Sequence, residues 1–133
     1  MTLSYDKELN ELTEKIIGCA YTVGNSLGVG FLEKVYENAL VCELKIEGLK
    51  VEPQKPIKIY YRGTLVGEYV ADLLVNDRVL VELKAAQELE DVFYAQCLNY
   101  LKATGLEVCL LINFGKEEVQ VKRVSAKKEW LKK

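Results

Sequence analysis

The chain has 133 residues, 50% hydrophobic and 29% charged, with a formal net charge of −2. That balance excludes an intrinsically disordered chain and a general electrostatic attraction to nucleic acid, and the length suits one hydrophobic core rather than two. Histidine is absent and the four cysteines form no CxxC pair, which excludes His-based triads and most zinc sites.

No apolar run approaches the ~20 residues of a spanning helix. The charged opening MTLSYDKELNELTEK leaves no room for the apolar stretch of a secretory signal. A cytoplasmic protein with no membrane association is therefore expected. Cys19, Cys42, Cys97 and Cys109 each have apolar neighbours and are expected as buried free thiols. From Lys116 onward seven Lys or Arg stand against three Glu, a basic end expected to be solvated rather than to grip phosphate.

In chain order, Leu9, Leu12, Ile16, Cys19, Val23 and Leu27 recur at three- and four-residue spacing, which predicts an amphipathic helix over about 6–24 capped by Asp6. Gly24, Gly28 and Gly30 are expected to end it, because glycine reaches backbone angles that a helix does not use. A second helix is predicted over about 31–47, stopped by Gly48. Pro53 and Pro56 bracket an irregular entry to PIKIYYRGTLVGEYVADLLV, whose β-branched and aromatic residues around Arg62-Gly63 predict a hairpin. A helix over about 88–104, stopped by Gly105, precedes strands Glu107–Phe114 and Val119–Val124, which are joined through Gly115. AKKEWLKK is expected to close the chain as a helical turn, with Trp130 folded back onto the domain. Helix, helix, three strands, helix, two strands is the order of an α/β protein, a mixed sheet with helices packed on it.

Within YVADLLVNDRVLVELKA, residues 69–85, Asp72, Glu82 and Lys84 interrupt two apolar strands. Alternation puts Glu82 and Lys84 on one face and Val79, Val81 and Leu83 on the other. A two-residue turn at Asn76-Asp77 would set Asp72 against Val81 and separate the acids. A three-residue turn, Asn76-Asp77-Arg78, pairs Val75 with Val79 and Asp72 with Glu82. The second register leaves Ala71, Leu73, Val75, Val79, Val81 and Leu83 as one apolar face, so it is the register expected. Adjacent carboxylates raise the pKa of one of them unless a cation sits between. Lys84 supplies one positive charge, and a divalent metal would supply two more. A solvated sheet face with one salt bridge is the alternative on composition alone.

Asp72, nine intervening residues and then Glu82-Leu83-Lys84 resembles the PD-(D/E)XK signature of the restriction-endonuclease-like nuclease superfamily, with Ala71 in place of the usual proline. Gln96-Cys97-Leu98-Asn99-Tyr100 is similar to the QxxxY element of its RecB-like branch. Gly30-Phe31-Leu32-Glu33-Lys34-Val35-Tyr36 is similar to the GxxExxY motif of a small bacterial and archaeal family placed there. The resemblance covers about residues 9–124 and implies one domain over 1–133, a restriction-endonuclease-like core with the mixed sheet flanked by helices.

It further implies that Asp72, Glu82 and the backbone carbonyl of Leu83 hold Mg²⁺, with Mn²⁺ as a substitute, since an all-oxygen set suits a hard cation. Lys84 would orient the attacking water or stabilise the transition state. Gln96 and Tyr100 would hold the substrate strand, and Glu33 would complete the metal's outer shell or help a second ion bind. From the residues alone, Gln96 and Tyr100 lie four apart on a stripe with Leu89, Val92 and Phe93, where a backbone partner would equally satisfy the amide. Glu33 sits in a first helical turn, where the macrodipole favours a carboxylate whatever its role. The expected function is metal-dependent phosphodiester hydrolysis in nucleic acid, with DNA the expected substrate. Its competitor is a noncatalytic module that binds nucleic acid or protein on the same fold. Tyr94 and Leu98 are expected beneath a neighbouring helix unless they bury a homodimer interface.

Overall fold

The computed structural model describes residues 6–131, so the start of the charged opening segment and the last two lysines of AKKEWLKK lie outside the described residues. Helix α1 (Lys7–Leu27) starts where predicted: the Asp6 carboxylate accepts the N–H of Leu9 at 3.0 Å, satisfying a donor that has no partner within the helix. The same carboxylate pairs with Arg78 at 2.7 Å. The helix runs through Gly24 instead of ending there. Gly24 serves close packing, because a side chain at that position would run into Val119. The stop comes at Gly28, whose φ of 71° only glycine adopts readily. Helix α2 (Glu33–Ile46) follows and buries the stripe Tyr36, Leu40 and Leu44.

Five strands lie side by side in chain order: β1 (Val51–Tyr61), β2 (Thr64–Val75), β3 (Val79–Lys84), β4 (Val108–Asn113) and β5 (Gln120–Ser125). All neighbours are antiparallel except β3 and β4, which run parallel. A parallel pair needs a crossover, and α3 (Asp91–Thr104) provides it. Arg62 and Gly63, both at positive φ, close the β1–β2 hairpin in two residues. The central strands, VLVELK and VCLLIN, are buried on both faces, which is why they read as nearly unbroken apolar runs.

Two cores result. Leu9, Ile16, Tyr36 and Leu40 from α1 and α2 pack on Leu73, Val81, Leu83 and Leu110, while Cys97 and Leu101 from α3 pack on Ala71, Leu80, Cys109 and Leu111. The architecture is the expected α/β/α arrangement, a mixed sheet flanked by helices. Among the described residues no helix is long and apolar enough to cross a membrane.

Several expectations are corrected by this packing. Cys42 is exposed, unlike the other three thiols, because it lies off the Tyr36–Leu40–Leu44 stripe of α2. Val92 is 63% exposed, since α3 turns Cys97, Tyr100 and Leu101 toward the sheet. Ala71 packs on the α3 side rather than with Leu73, for a reason given below. The closing turn is a short 3₁₀ helix, Lys128–Trp130, with the Trp130 ring half-buried between Lys102 and Lys127.

Candidate active site

Three residues, Asn76 to Arg78, join β2 to β3, with Asn76 and Asp77 at positive φ. Val75 therefore faces Val79, as the burial pattern required, and the ladder continues through Leu74–Leu80 to Leu73–Val81. There it stops. At the next position side chains take over the role of backbone: the Asp72 N–H donates to Glu82 Oε1 and the Leu83 N–H donates to Asp72 Oδ2, each at 2.8 Å.

The other flank of β2 is interrupted at the same level. β1 pairs Pro53 with Leu73 and Lys55 with Ala71, but Gln54 between them has φ of 55° and turns its amide to Glu37 of α2. Without a continuous ladder on either side, β2 rolls at Asp72. That roll sends Ala71 and Leu73, two residues apart, to opposite cores.

Asp72 and Glu82 thus share the fork where β2 and β3 part, and each keeps one carboxylate oxygen outside the exchange. Glu82 is only 4% exposed. Burial first, and then the charge of Asp72, push its carboxyl up to about 8 from an ordinary 4.5. Burial also raises the pKa of Asp72, against the pull of the Leu83 N–H, and Glu37 and Glu33 push the same way. Lys84, half-buried on β3 with its Nζ 4.5 Å from the centre of the Phe93 ring, lowers both. It forms no ion pair with either acid among the described residues, so the expected alternative of a salt-bridged surface is not what the fork presents.

Of the remaining predicted residues, Glu33 and Tyr100 come near enough to the fork to interact electrostatically with its acids, whereas no contact joins Gln96 to them among the described residues. N–H and C=O of one strand residue point the same way, so the Leu83 carbonyl opens toward the departed β2 beside its N–H. Glu33 is exposed in the first turn of α2 and near enough to raise both carboxyls. Gln96 is half-buried on α3. Tyr100 is 3% exposed and its hydroxyl donates to the Val70 carbonyl at 3.4 Å, two residues before Asp72. Its place is behind β2, and burial followed by the charges of Glu82 and Asp72 raises its pKa.

Three residues at the site escaped the sequence reading. Glu37 is buried beneath Asp72, its Oε2 accepting from Lys34 at 2.9 Å and Gln54 at 3.0 Å. Its signal was the like-charge pair Glu33 and Glu37, four apart on one helix, which is unfavourable unless a cation or a buried partner compensates. Asn113, wholly buried at the end of β4 and paired in register with Lys84, accepts the N–H of Ala86 and donates to its carbonyl, both at 2.9 Å. Gly115 lies so close to Ala85 and Ala86 that a side chain there would collide with their backbone. Together they pin the chain as it leaves Lys84. An Asn ending the apolar run VCLLIN was the only hint.

A buried and a half-buried acid with a following lysine at a strand fork, on a mixed sheet covered on both faces, have the form of a nuclease domain. Residues 10–124 match the family model of the PD-(D/E)XK nuclease superfamily, and the chain belongs to that superfamily. Among solved structures it is similar to an alkaline exonuclease from Laribacter hongkongensis, with 14% identity, a TM-score of 0.48, and coverage of 88% of this chain and 84% of that one. No curated protein matches the chain in sequence.

Proposed function

We propose that this protein is a divalent-metal-dependent nuclease that hydrolyses phosphodiester bonds in DNA, acting as one domain over residues 1–133 in the cytoplasm. Within the superfamily, the Gly30–Tyr36 and Gln96–Tyr100 motifs favour the GxxExxY family and the RecB-like branch. The observation that carries the reading is the reciprocal bonding of Asp72 and Glu82, which gathers two acids at a sheet fork and leaves one oxygen of each uncommitted.

The donor set suits a hard cation. Asp72, Glu82 and the Leu83 carbonyl offer only oxygen, and burial of two carboxyls favours a positive charge beside them. Among the described residues no three His, Cys, Asp or Glu side chains cluster to enclose a metal, so an ion held here would keep several waters, as Mg²⁺ prefers; Mn²⁺ would substitute. When bound, the ion would lower the pKa of a water and offset charge on the phosphate oxygens.

The chain's own groups supply the rest. Lys84, set over Phe93 and without an ion pair among the described residues, donates to the attacking water or to a phosphate oxygen as negative charge builds there. Gln96 presents its amide to the substrate strand. Tyr100 acts through β2, holding Val70 and with it the approach to Asp72. Glu33 adds negative charge at the rim and serves the outer shell of the ion.

Incubation with labelled single- and double-stranded DNA and RNA, with and without Mg²⁺ or Mn²⁺, tests the proposal beside the Lys84→Ala protein. Cleavage of DNA that needs the metal and falls sharply without the Lys84 amine is the expected result. Nucleic-acid binding without any metal-dependent cleavage would instead favour a noncatalytic module.

A further inference from the structure

We infer that the groove between the β1–β2 hairpin and the C-terminal half of α3 is a stacking subsite for unpaired nucleotides of the substrate strand. The identity of the ligand rests on the nuclease reading; the form of the site does not. The groove has a volume of about 540 Å³ and is lined by Lys58, Ile59, Tyr60, Tyr69, Asn99 and Lys102. Tyr60 and Tyr69 are 60% and 52% exposed, so two aromatic rings stand in solvent on its walls.

The backbone places those rings there. Three consecutive residues of β1, Lys58, Ile59 and Tyr60, line the groove, so it takes in the edge of that strand and not one face alone. The hairpin register slips beside them: Ile59 faces Gly67 and Tyr60 faces Leu65, which leaves Val66 of β2 as the extra residue of a bulge that increases the local twist. Gly67, paired with Ile59, adds no side chain next to Tyr69 on that face. Tyr69 is backed by the buried Tyr100, ring centres 5.9 Å apart, so its platform is firm.

Charge selects the occupant. Lys58 and Lys102 form no ion pair among the described residues. The Lys102 Nζ also approaches the Trp130 ring to 5.8 Å, and Lys127 comes to 5.5 Å on the same ring. Lys58 stands opposite Glu68 across the hairpin, while Lys102 and Lys127 gather at the α3 side, so the groove keeps an excess of positive charge. Exposed rings interleaved with these cations suit a polyanion that carries flat bases. A second copy of this chain seated on the groove would have to desolvate those lysines. Duplex bases are already stacked on one another, and only an unpaired base can give its face to a tyrosine. Tyr69 precedes Asp72 by three residues on β2, about 10 Å along the strand, so nucleotides held here would flank a phosphate at the fork.

The test is fluorescence anisotropy of one labelled oligonucleotide, single-stranded and annealed, with the full chain in EDTA so that nothing is cut. Tyr60→Ala and Tyr69→Ala should each weaken single-strand binding about 5- to 150-fold, equivalent to the ~1–3 kcal/mol of one base–aromatic stack, and leave duplex binding unchanged. Tyr60→Phe should restore it. Lys58→Ala and Lys102→Ala should each lower the slope of log K against log salt by about 0.7. Unchanged single-strand affinity in both alanine variants overturns the inference, as does a Tyr60→Phe protein no better than Tyr60→Ala. Sedimentation showing a wild-type dimer that Tyr60→Ala disperses overturns it too, because a second copy then fills the groove. Metal-dependent cleavage that ignores both tyrosines sinks the subsite alone. Tyrosine-dependent binding without cleavage supports the subsite and sinks the nuclease reading.

Discussion

Glu82 accepts the N–H of Asp72 while Asp72 accepts the N–H of Leu83, each at 2.8 Å, so the two acids hold together the very strands whose ladder they interrupt. A backbone donor left bare at this depth would cost ~1–3 kcal/mol, and the carboxylates prevent that. The same bonds fix their direction, which is what a metal site needs from its ligands. Structure and chemistry therefore make the same demand on these residues, and substitutions can separate the two.

Glu82→Gln keeps an oxygen for the Asp72 N–H but removes the charge. Cleavage should fall to background while the circular dichroism spectrum is retained. Lys84→Ala, which touches no backbone bond, should lower kcat by about 10²–10³-fold. Wild-type rates from Glu82→Gln would end the assignment of this acid as a ligand.

A pH dependence follows from the raised pKa of Glu82. Between the ordinary 4.5 and about 8 the folded protein keeps a proton that the unfolded chain has released. The unfolded state then binds fewer protons, so stability falls as pH rises through that window. Urea denaturation in EDTA should show the decline, and Glu82→Gln should remove most of it. Adding Mg²⁺ should raise stability most at the alkaline end, where the ion has no proton to displace.

Asn113→Ala should loosen the exit from β3. Its side chain bonds both the N–H and the carbonyl of Ala86, and also Gly115 and Gln120. Their loss is expected to cost at least ~1–3 kcal/mol, seen as a lower denaturation midpoint. Hydrogen exchange should show the Ala86 amide deprotected, with cleavage reduced because Lys84 stands two residues earlier.

Tyr36→Phe tests the loop before α2. The hydroxyl donates to the Gly28 carbonyl at 2.6 Å and accepts the Phe31 N–H at 3.2 Å, while the ring stacks on Phe114 with centres 4.9 Å apart. The stack should preserve the fold at a loss of ~0.5–1.5 kcal/mol per hydrogen bond. Faster exchange across residues 28–32 is the expected signature.

Much of this molecule was legible along the chain. The stripe from Leu9 to Val23 and the left-handed glycine after α3 follow from local sterics and periodicity, which neighbouring residues impose on one another. The three-residue turn was legible for a related reason: only that register spares Val75, Val79 and Val81 from sharing a face with the acids. That register also sets Asp72 level with Glu82, and the structure brings the two carboxylates together there, although by side-chain bonds instead of the backbone pairing that the sequence predicts.

What remained belonged to distant pairs. Gly24 reads as a helix breaker until Val119 is seen against it, and Glu37 reads as a surface charge until Gln54 turns inward to meet it. Ala71 follows strict alternation only while a ladder continues, and the break at Asp72 depends on both β1 and β3 letting go at one level. The sequence by itself determined which residues had to be buried and which acids had to meet, because periodicity and turn length act over a few residues. Tertiary structure alone decided where the sheet forks and what lies beneath the acids, because those depend on groups brought together from far along the chain.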